Sequence, residues 1–205
     1  MDWYILVALG SLAICLVSCL FHFLRLVKKG KPVDYAVPAG DTTKAVMYSF
    51  TGAMSPAKKE SAYLHLPVYA AGILYHLGTF LSILLFFLFV AGVWIEGVMS
   101  VIISVFLALT TLSGLWILIR RALDKTLRTL SNPDDYLSNI LVTLFQAATI
   151  GILHSEQLIA TYFITASALL LYLPMGKLRH AVYFFAARYH LGYFFGYRGT
   201  WPPVK

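Results

Sequence analysis

Residues 69–94 read YAAGILYHLGTFLSILLFFLFVAGVW and carry no charged side chain. An α-helix rises about 1.5 Å per residue, so a segment of this length can cross the roughly 30 Å hydrocarbon layer of a bilayer. A second uncharged segment, residues 98–119, follows directly after Glu96 and Gly97. Two such segments joined by a very short turn predict an antiparallel pair of transmembrane helices.

Three further segments are similarly apolar, at residues 3–24, 136–153 and 158–175. The chain has 205 residues, of which 60% are hydrophobic and only 12% are charged, and this lies outside the usual balance of a soluble domain. We therefore predict an all-α integral membrane protein with one five-helix transmembrane bundle. Because Asp2 precedes the first segment and lysines follow it, we expect a permanent helix there rather than a cleaved signal peptide.

The segments between and after these helices have the composition of a loop and a tail. Residues 28–62 contain several prolines and glycines, which predict a polar loop with some local structure. Pro133, followed by Asp134 and Asp135, is typical of the first turn of a helix, here the fourth. Residues 176–205 combine aromatic and basic side chains, which predict an interfacial segment at the level of the lipid headgroups.

The basic residues are confined to three regions of the chain. All 16 Lys and Arg residues lie within residues 25–59, 120–128 and 177–205. Cytoplasmic loops of membrane proteins carry an excess of Lys and Arg. We therefore predict that the N-terminus lies outside and that the loop, the C-terminal tail and the C-terminus are cytoplasmic. The distribution of the basic residues thus reports the topology of the chain. The formal net charge of +7 therefore gives no reason to expect a nucleic-acid partner.

Two histidines at membrane depth are the first candidates for chemistry. Ionisable side chains inside hydrocarbon are costly unless they are paired or ligated. His76 lies within the second predicted helix and His180 just past the fifth, both on the predicted cytoplasmic side. Two imidazoles from neighbouring bundle helices are a normal axial ligand set for haem iron. Each histidine could instead be a packing or interfacial residue, so the side chains alone leave both hypotheses open.

Three segments of the chain resemble a known family, and the resemblance extends over essentially the whole chain. They are GILYHLG at residues 72–78, the stretch from Arg120-Arg121 through Ser131 to Asp134-Asp135-Tyr136, and LPMGKLRH at residues 173–180. The family is that of the membrane cytochrome b subunits, typified by the gamma subunit of respiratory nitrate reductase. Residues 48–64, YSFTGAMSPAKKESAYL, look more like the branch that serves heterodisulfide-reductase-like complexes, including the dissimilatory sulfite-reduction and quinone-interacting oxidoreductase systems.

The resemblance implies a haem b protein in the cell inner membrane, as one subunit of a respiratory complex. Such a subunit transfers electrons between menaquinone or another quinone and a cytoplasmic iron–sulfur subunit. The resemblance also implies that His76 and His180 are the axial ligands of the haem nearer the cytoplasm. The family's second ligand pair falls on Phe86 and Tyr162, which are not usual ligands. We therefore expect one haem, unless His154 or His22 ligates a second.

Other side chains are secondary candidates for the same site. Four basic residues lie at the level where haem propionates would emerge, although they also serve as positive-inside anchors: Arg179, Lys177, Arg120 and Arg121. His154 and Glu156, at the predicted outer end of the fourth helix, are candidates for a quinone or proton site. A histidine there is more often a plain loop residue. His22 could line the haem pocket or simply pack.

The sequence leaves two other functions open. The chain could be a haem-free membrane anchor that holds a cytoplasmic enzyme at the bilayer, with its histidines serving as packing residues. The chain could also be a small transporter, which would need a polar path through the membrane. Apart from the histidines and Gln146, however, the predicted helices offer mainly Ser and Thr, and no inverted repeat is apparent. A haem spectrum distinguishes the anchor from the redox subunit.

Overall fold

The computed structural model describes residues 2–29, 35–55 and 64–203. Within these ranges the chain is predominantly helical and contains no β-strand, which confirms the predicted class. The helices are α1 (Trp3–Lys29), α2 (Thr42–Phe50), α3 (Leu66–Val90), α4 (Gly97–Leu123), α5 (Lys125–Thr129), α6 (Pro133–His154), α7 (Ile159–Tyr172) and α8 (His180–Tyr197). Short 3-10 helices cover Gly52–Met54, Glu156–Leu158 and Lys177–Arg179.

Four of the described helices, α1, α3, α4 and α6, are long and apolar enough to cross a membrane. A fifth span is possible only if Glu156–Tyr172 and Lys177–Tyr197 together form one interrupted span. The predicted fifth helix at residues 158–175 is shorter in the structure, because α7 ends at Tyr172 and Pro174 follows shortly after. Proline lacks a backbone N–H and does not continue a helix. These long apolar helices fit a multi-pass membrane protein.

The chain divides into two compact units. The first unit contains Met1–Cys15 and Pro67–Leu178, and the second contains Leu16–Leu66 and Arg179–Lys205. The helices α3 to α7 therefore belong to the first unit, whereas α2 and α8 belong to the second. The long helix α1 contributes its first half to one unit and its second half to the other.

Aromatic rings form the centre of the first unit. Phe86, Phe89, Phe145, Tyr162 and Phe163 are each at most 3% exposed. The Tyr162 ring stacks on Phe145 with the ring centroids 5.7 Å apart, and it lies edge-on to Phe89 and Phe163. Aromatic pairs in these geometries stabilise a core beyond their buried area. The rings therefore join α3, α6 and α7.

The helix α6 begins as the sequence predicts, with Pro133 in its first turn. The Asn132 side chain accepts a hydrogen bond from the Asp135 backbone N–H at 3.1 Å. The Asp135 carboxylate in turn accepts one from the Asn132 backbone N–H at 3.0 Å. This capping box satisfies backbone donors that the first turn of a helix would otherwise leave unpaired.

The connection between α3 and α4 is longer than the turn predicted at Glu96 and Gly97. The helix α3 ends at Val90, and residues 91–96 lie outside both helices. Gly92 and Gly97 have φ angles of +78° and +63°. Only glycine adopts these left-handed conformations without steric cost, so the two glycines allow the chain to leave α3 and enter α4.

The described part of the polar loop predicted at residues 28–62 contains the helix α2. The Asp41 carboxylate caps this helix and accepts hydrogen bonds from the backbone N–H groups of Thr43 at 2.9 Å and Lys44 at 3.0 Å. These bonds favour the charged carboxylate, so they hold the pKa of Asp41 below its usual value. The backbone N–H of Lys44 contributes most, followed by the Lys44 ammonium group and the backbone N–H of Thr43. The local structure predicted for the loop is thus a capped helix.

Removal of this cap should loosen the first turn of α2. In Asp41→Ala we expect faster hydrogen–deuterium exchange at residues 43–45, whereas Asp41→Asn should keep most of the protection because it keeps an acceptor.

The stabilisation of α2 by the Asp41 charge should depend on pH, because the pKa of Asp41 is lower in the folded state than in the unfolded state. This stabilisation is fully present above the unfolded pKa of about 4, and it is lost as the pH falls through the folded pKa. The amide NMR signals of Thr43 and Lys44 should therefore titrate with a midpoint below about 4. A midpoint at or above that value would contradict the assignment.

The helices α2 and α8 approach each other closely through small residues. Ala45 and Ser49 of α2 are fully buried, and they lie on the side of α2 that meets Gly192 and Gly196 of α8. A Cβ atom added to Gly192 would lie 2.5 Å from the Cα atom of Val46. Small residues spaced four apart on both helices let two helix backbones come this close. The tail predicted as an interfacial segment therefore contains a helix that packs on α2.

Candidate functional site

His76 lies about 15 Å along α3 from Leu66, well inside a candidate span. Its Nδ1 atom is 2.7 Å from the carbonyl oxygen of Gly72, one turn earlier. A carbonyl oxygen only accepts hydrogen bonds, so Nδ1 carries the proton and the neutral imidazole has its lone pair on Nε2. An orienting hydrogen bond at one ring nitrogen, with the other nitrogen as the ligand, is typical of metal-binding histidines.

Side chains next to His76 on α3 are exposed. The side chains of His76, Leu77 and Phe80 are exposed, and the Phe80 ring centroid lies 6.4 Å from that of the imidazole. A Cβ atom added to Gly72 would meet no described heavy atom within 4 Å. Position 72 therefore faces open space among the described residues. Gly78 has a different role, because a Cβ atom there would collide with the Thr110 side chain of α4.

His180 is the first residue of α8 and belongs to the second unit, whereas His76 belongs to the first. The His180 side chain is exposed. The guanidinium carbon of its neighbour Arg179 lies 5.8 Å from the centroid of the Tyr183 ring, within the range of a cation–π interaction. The start of α8 thus carries a guanidinium and an imidazole on consecutive residues. The ligand role of His180 and the propionate role of Arg179 stay predictions.

Two of the four basic residues predicted near the propionates bind a carboxylate of the chain itself. Asp135 forms ion pairs with Arg121, at 3.1 Å, and with Lys177. The Asp135 side chain is only 3% exposed, and Arg121 also donates a hydrogen bond to the Ser131 hydroxyl at 3.1 Å. This cluster joins the end of α4, the start of α6 and the segment after α7. Two cations and one carboxylate leave a net positive charge, which can attract an anionic group.

Arg120 and His22 each contact an aromatic residue of their own helix. The guanidinium carbon of Arg120 is 5.8 Å from the centroid of the Trp116 ring, one turn earlier on α4. His22 is half-buried in the part of α1 that belongs to the second unit, and its ring centroid lies 6.1 Å from that of Phe21. Neither contact tests the predicted propionate or haem-pocket roles of these residues.

His154 and Glu156 lie at the other end of α6 from Asp135. The Nε2 atom of His154 is 2.8 Å from the Ser104 hydroxyl of α4, and the last turn of α6 also favours a basic side chain through the helix dipole. Glu156 is exposed and begins a 3-10 helix. The two residues predicted for a quinone or proton site are thus neighbours at one end of the first unit.

The positions of the family's second ligand pair are filled by the aromatic core. Phe86 is 3% exposed and Tyr162 is fully buried. Both rings contact Phe163, at centroid distances of 6.1 Å and 5.2 Å. Because these rings pack directly on one another, the residues present here do not fit a second porphyrin.

Within residues 2–29, 35–55 and 64–203, no group of three or more His, Cys, Asp or Glu side chains is arranged to hold a metal ion. A haem of this type needs two axial ligands, which is the number that the resemblance assigns. No family model, curated protein or solved structure matches this chain. The candidate site therefore rests on the chemistry and positions of the side chains themselves.

A buried polar network around Gln146 is the feature that the sequence shows least clearly. Gln146 is fully buried. Its amide nitrogen donates to the Tyr75 carbonyl at 3.1 Å and to the Thr79 hydroxyl at 2.9 Å, and its amide oxygen accepts from the Thr110 hydroxyl at 2.8 Å. One side chain thus connects α3, α4 and α6. The sequence marks Gln146 only as a rare amide within a predicted span, because its partners are a backbone carbonyl and the hydroxyls of ordinary Thr residues.

Proposed function

We propose that the chain is the haem b membrane subunit of a respiratory complex. In this role it transfers electrons between the membrane quinone pool, menaquinone or another quinone, and a cytoplasmic iron–sulfur subunit. The main support is the hydrogen bond from His76 Nδ1 to the Gly72 carbonyl, which orients the imidazole and puts its lone pair on Nε2, as in metal-binding histidines. This arrangement occurs at a depth where an ionisable side chain is otherwise costly.

In this proposal His76 and His180 hold the iron from two different helices. Bound haem b supplies reversible one-electron transfer at that position. The glycine at position 72 leaves space beside the His76 imidazole. The net positive cluster of Asp135, Arg121 and Lys177 supports a role in neutralising propionates, and Arg179 and Arg120 keep the same proposed role.

The proposed topology places the basic ends of the helices in the cytoplasm and the N-terminus outside. The second unit then consists largely of the two regions that the sequence predicts to be cytoplasmic. Within it, the packed pair of α2 and α8 offers an ordered surface where the iron–sulfur subunit could bind. His154 and Glu156 lie on the outer side in this topology, where we retain them as the candidate quinone or proton site.

The haem ligands can be tested by absorption spectroscopy of the full chain purified in detergent. We expect a b-type reduced-minus-oxidised spectrum for the wild type and its loss in both His76→Ala and His180→Ala, because each variant removes one of two axial bonds. Gly72→Leu should also lower the haem content, since its side chain would fill the open face beside His76.

Two variants serve as matched controls for this experiment. His65→Ala removes an exposed histidine that precedes α3, and it should leave the spectrum unchanged. Gly10→Leu adds the same side chain as Gly72→Leu at another helical glycine with no described neighbour within 4 Å. Full b-type absorption in both histidine variants would reject these ligands. A wild-type protein without haem would instead favour the haem-free membrane anchor.

A further inference from the structure

A groove on the first unit lies between the end of α5 and the first two turns of α6. Its volume is about 540 Å³, within the range of roughly 300–1,000 Å³ that is typical of small-molecule sites. Polar or charged side chains line one part of the groove and largely apolar ones line the other: Arg128, Ser131 and Asn132, then Tyr136, Leu137 and Ile140. The groove is therefore amphipathic.

The polar and apolar parts of the lining follow one another along the axis of α6. The polar residues precede Pro133, the first residue of the helix, whereas Ile140 lies about 10 Å further along it at 1.5 Å per residue. When the candidate span α6 crosses a membrane, its first turn lies at the level of the headgroups and Ile140 lies in the hydrocarbon. Leu137 and Ile140 are both exposed, so a chain from the bilayer can contact them. The groove thus changes from polar to apolar in the same order as a lipid molecule.

The polar part of the groove contains hydrogen-bond donors that the protein does not use. The Arg128 guanidinium has no hydrogen bond, ion pair or ring contact with a described residue. The Asn132 side-chain oxygen accepts from the Asp135 backbone N–H at 3.1 Å, but the amide nitrogen of the same side chain has no described acceptor. Guanidinium and amide nitrogens only donate hydrogen bonds. This part of the groove therefore fits a chemical group made of acceptors.

Arg128 is the one charged side chain in the described lining of the groove. Two carboxylates that are close to it in the sequence have other partners, because Asp124 caps α5 and Asp135 is paired with two basic side chains. The groove therefore presents a positive charge without a carboxylate to balance it. A group with one negative charge and several acceptor oxygens matches this lining.

The polar wall of the groove is ordered by contacts within the first unit. The Asp124 carboxylate accepts hydrogen bonds at 2.9 and 3.1 Å from two backbone N–H groups of the short helix α5, which carries Arg128. The Ser131 hydroxyl donates to the Leu127 carbonyl at 2.6 Å and accepts from the Arg121 guanidinium at 3.1 Å. A wall that is already ordered lowers the entropic cost of binding a ligand.

We propose that the groove binds an anionic phospholipid, with its phosphate at Arg128 and an acyl chain along Leu137 and Ile140. The phosphodiester carries one negative charge, and its oxygens accept two parallel hydrogen bonds from a guanidinium. Tyr136 lies half-buried between the two parts, and tyrosine is enriched at this depth of a membrane. A neutral quinone would leave the Arg128 charge unbalanced, and a free phosphate would leave the apolar part unused. This lipid site is independent of the proposed haem and of the orientation of the chain.

Lipid titration followed by native mass spectrometry tests the site. The full chain is stripped of lipid in detergent and titrated with dioleoyl phosphatidylglycerol or with dioleoyl phosphatidylcholine. The two lipids share their acyl chains and phosphate, but the second adds a positive choline for which the described lining has no carboxylate. We expect the anionic lipid to bind roughly fivefold more tightly. Equal affinity for the two lipids would overturn the proposal.

Arg128→Gln should remove this preference for the anionic lipid, because it removes the charge and keeps a donor. Lys125→Gln is the matched control, since it removes an exposed charge from the same short helix but does not line the groove. We expect the control to keep the wild-type preference. The anionic lipid should also raise the melting temperature of the wild type and the control more than that of Arg128→Gln. An equal loss of preference in the two variants would mean that the lipid responds to surface charge in general, and the assignment of Arg128 would be wrong.

The acyl-chain part of the site has its own pair of variants. Ile140→Trp places a large ring in the groove and should weaken binding of the anionic lipid, whereas Leu144→Trp changes an exposed leucine of α6 outside the lining and should not. Glycerol phosphate in large excess should fail to displace the lipid, because it lacks the chains. Displacement by glycerol phosphate, or equal binding by the two tryptophan variants, would show that the apolar part of the groove does not hold an acyl chain and would overturn the proposal.

Discussion

Asp135→Ala should lower the free energy of unfolding of the first unit by about 3 kcal/mol, at the lower end of the range for a broken buried ion pair. The change leaves Arg121 and Lys177 without their shared carboxylate and removes the acceptor for the Asn132 backbone N–H. The two cations are 32% and 54% exposed, so water recovers part of their solvation. The lower end of the range is therefore the appropriate expectation.

Denaturant unfolding in mild detergent, followed by circular dichroism, measures this effect. Asp134→Ala is the control, because it changes the net charge equally and lies in the same turn of α6. The contacts that Asp134 makes with Ser138 and Tyr172 use its backbone carbonyl, which the substitution keeps. We expect a change within about 0.5 kcal/mol for the control. Equal losses in the two variants would mean that the ion pairs of Asp135 do not stabilise the unit.

The long helices are the part of the fold that the sequence predicts well. Helices α1, α3 and α4 each cover most or all of a predicted uncharged segment, because burial of backbone polar groups in hydrocarbon requires a continuous helix. The start of α6 is equally clear, since Asn132, Pro133 and Asp135 supply the cap and the first turn locally. In both cases the information lies within a few neighbouring residues, and no distant contact is needed to interpret it.

The packing of α2 on α8 shows what the sequence does not reveal on its own. The small-residue pairs Ala45 with Ser49 and Gly192 with Gly196 are visible as spacings of four. Each pair could face lipid, a partner chain or another helix, and the matching pair lies more than a hundred residues away. Propensity and hydropathy carry no information about which distant face is complementary. The composition therefore predicted a loop with some local structure and an interfacial tail, but it did not indicate that helices of these two segments pack on each other.

The candidate site was partly predictable for the same reason. His76 stands out because an imidazole within an apolar span is unusual, and its bond to the Gly72 carbonyl follows from residues one turn apart on a helix. The positive-inside pattern predicts Arg121 and Lys177 at the same membrane depth. Their ion pairs with Asp135, however, depend on how the end of α4, the start of α6 and the segment after α7 come together. Long-range contacts of this kind are set by packing, which a single sequence does not record.

Gly192→Ala should destabilise the contact between α2 and α8, even though alanine is the better helix former by about 1 kcal/mol. The added Cβ atom would lie 2.5 Å from the Cα atom of Val46 and 3.0 Å from the Ala45 carbonyl oxygen, and both are backbone atoms that cannot rotate away. Overpacking of this kind typically costs about 1–3 kcal/mol. The Ser49 hydroxyl, 2.8 Å from the Arg188 carbonyl, would be pulled out of range as the helices separate.

Hydrogen–deuterium exchange at residues 42–50 measures the effect, and about 1–3 kcal/mol corresponds to exchange that is roughly 5- to 150-fold faster. Gly10→Ala is the matched control, because a Cβ atom at Gly10 meets no described heavy atom within 4 Å and only the gain in helix propensity remains. Gly192→Ala should therefore lower the protection of α2 against exchange, whereas Gly10→Ala should raise the protection of α1 around residue 10. Slower exchange of α2 in Gly192→Ala would mean that helix propensity outweighs the close approach, and that other contacts hold α2 on α8.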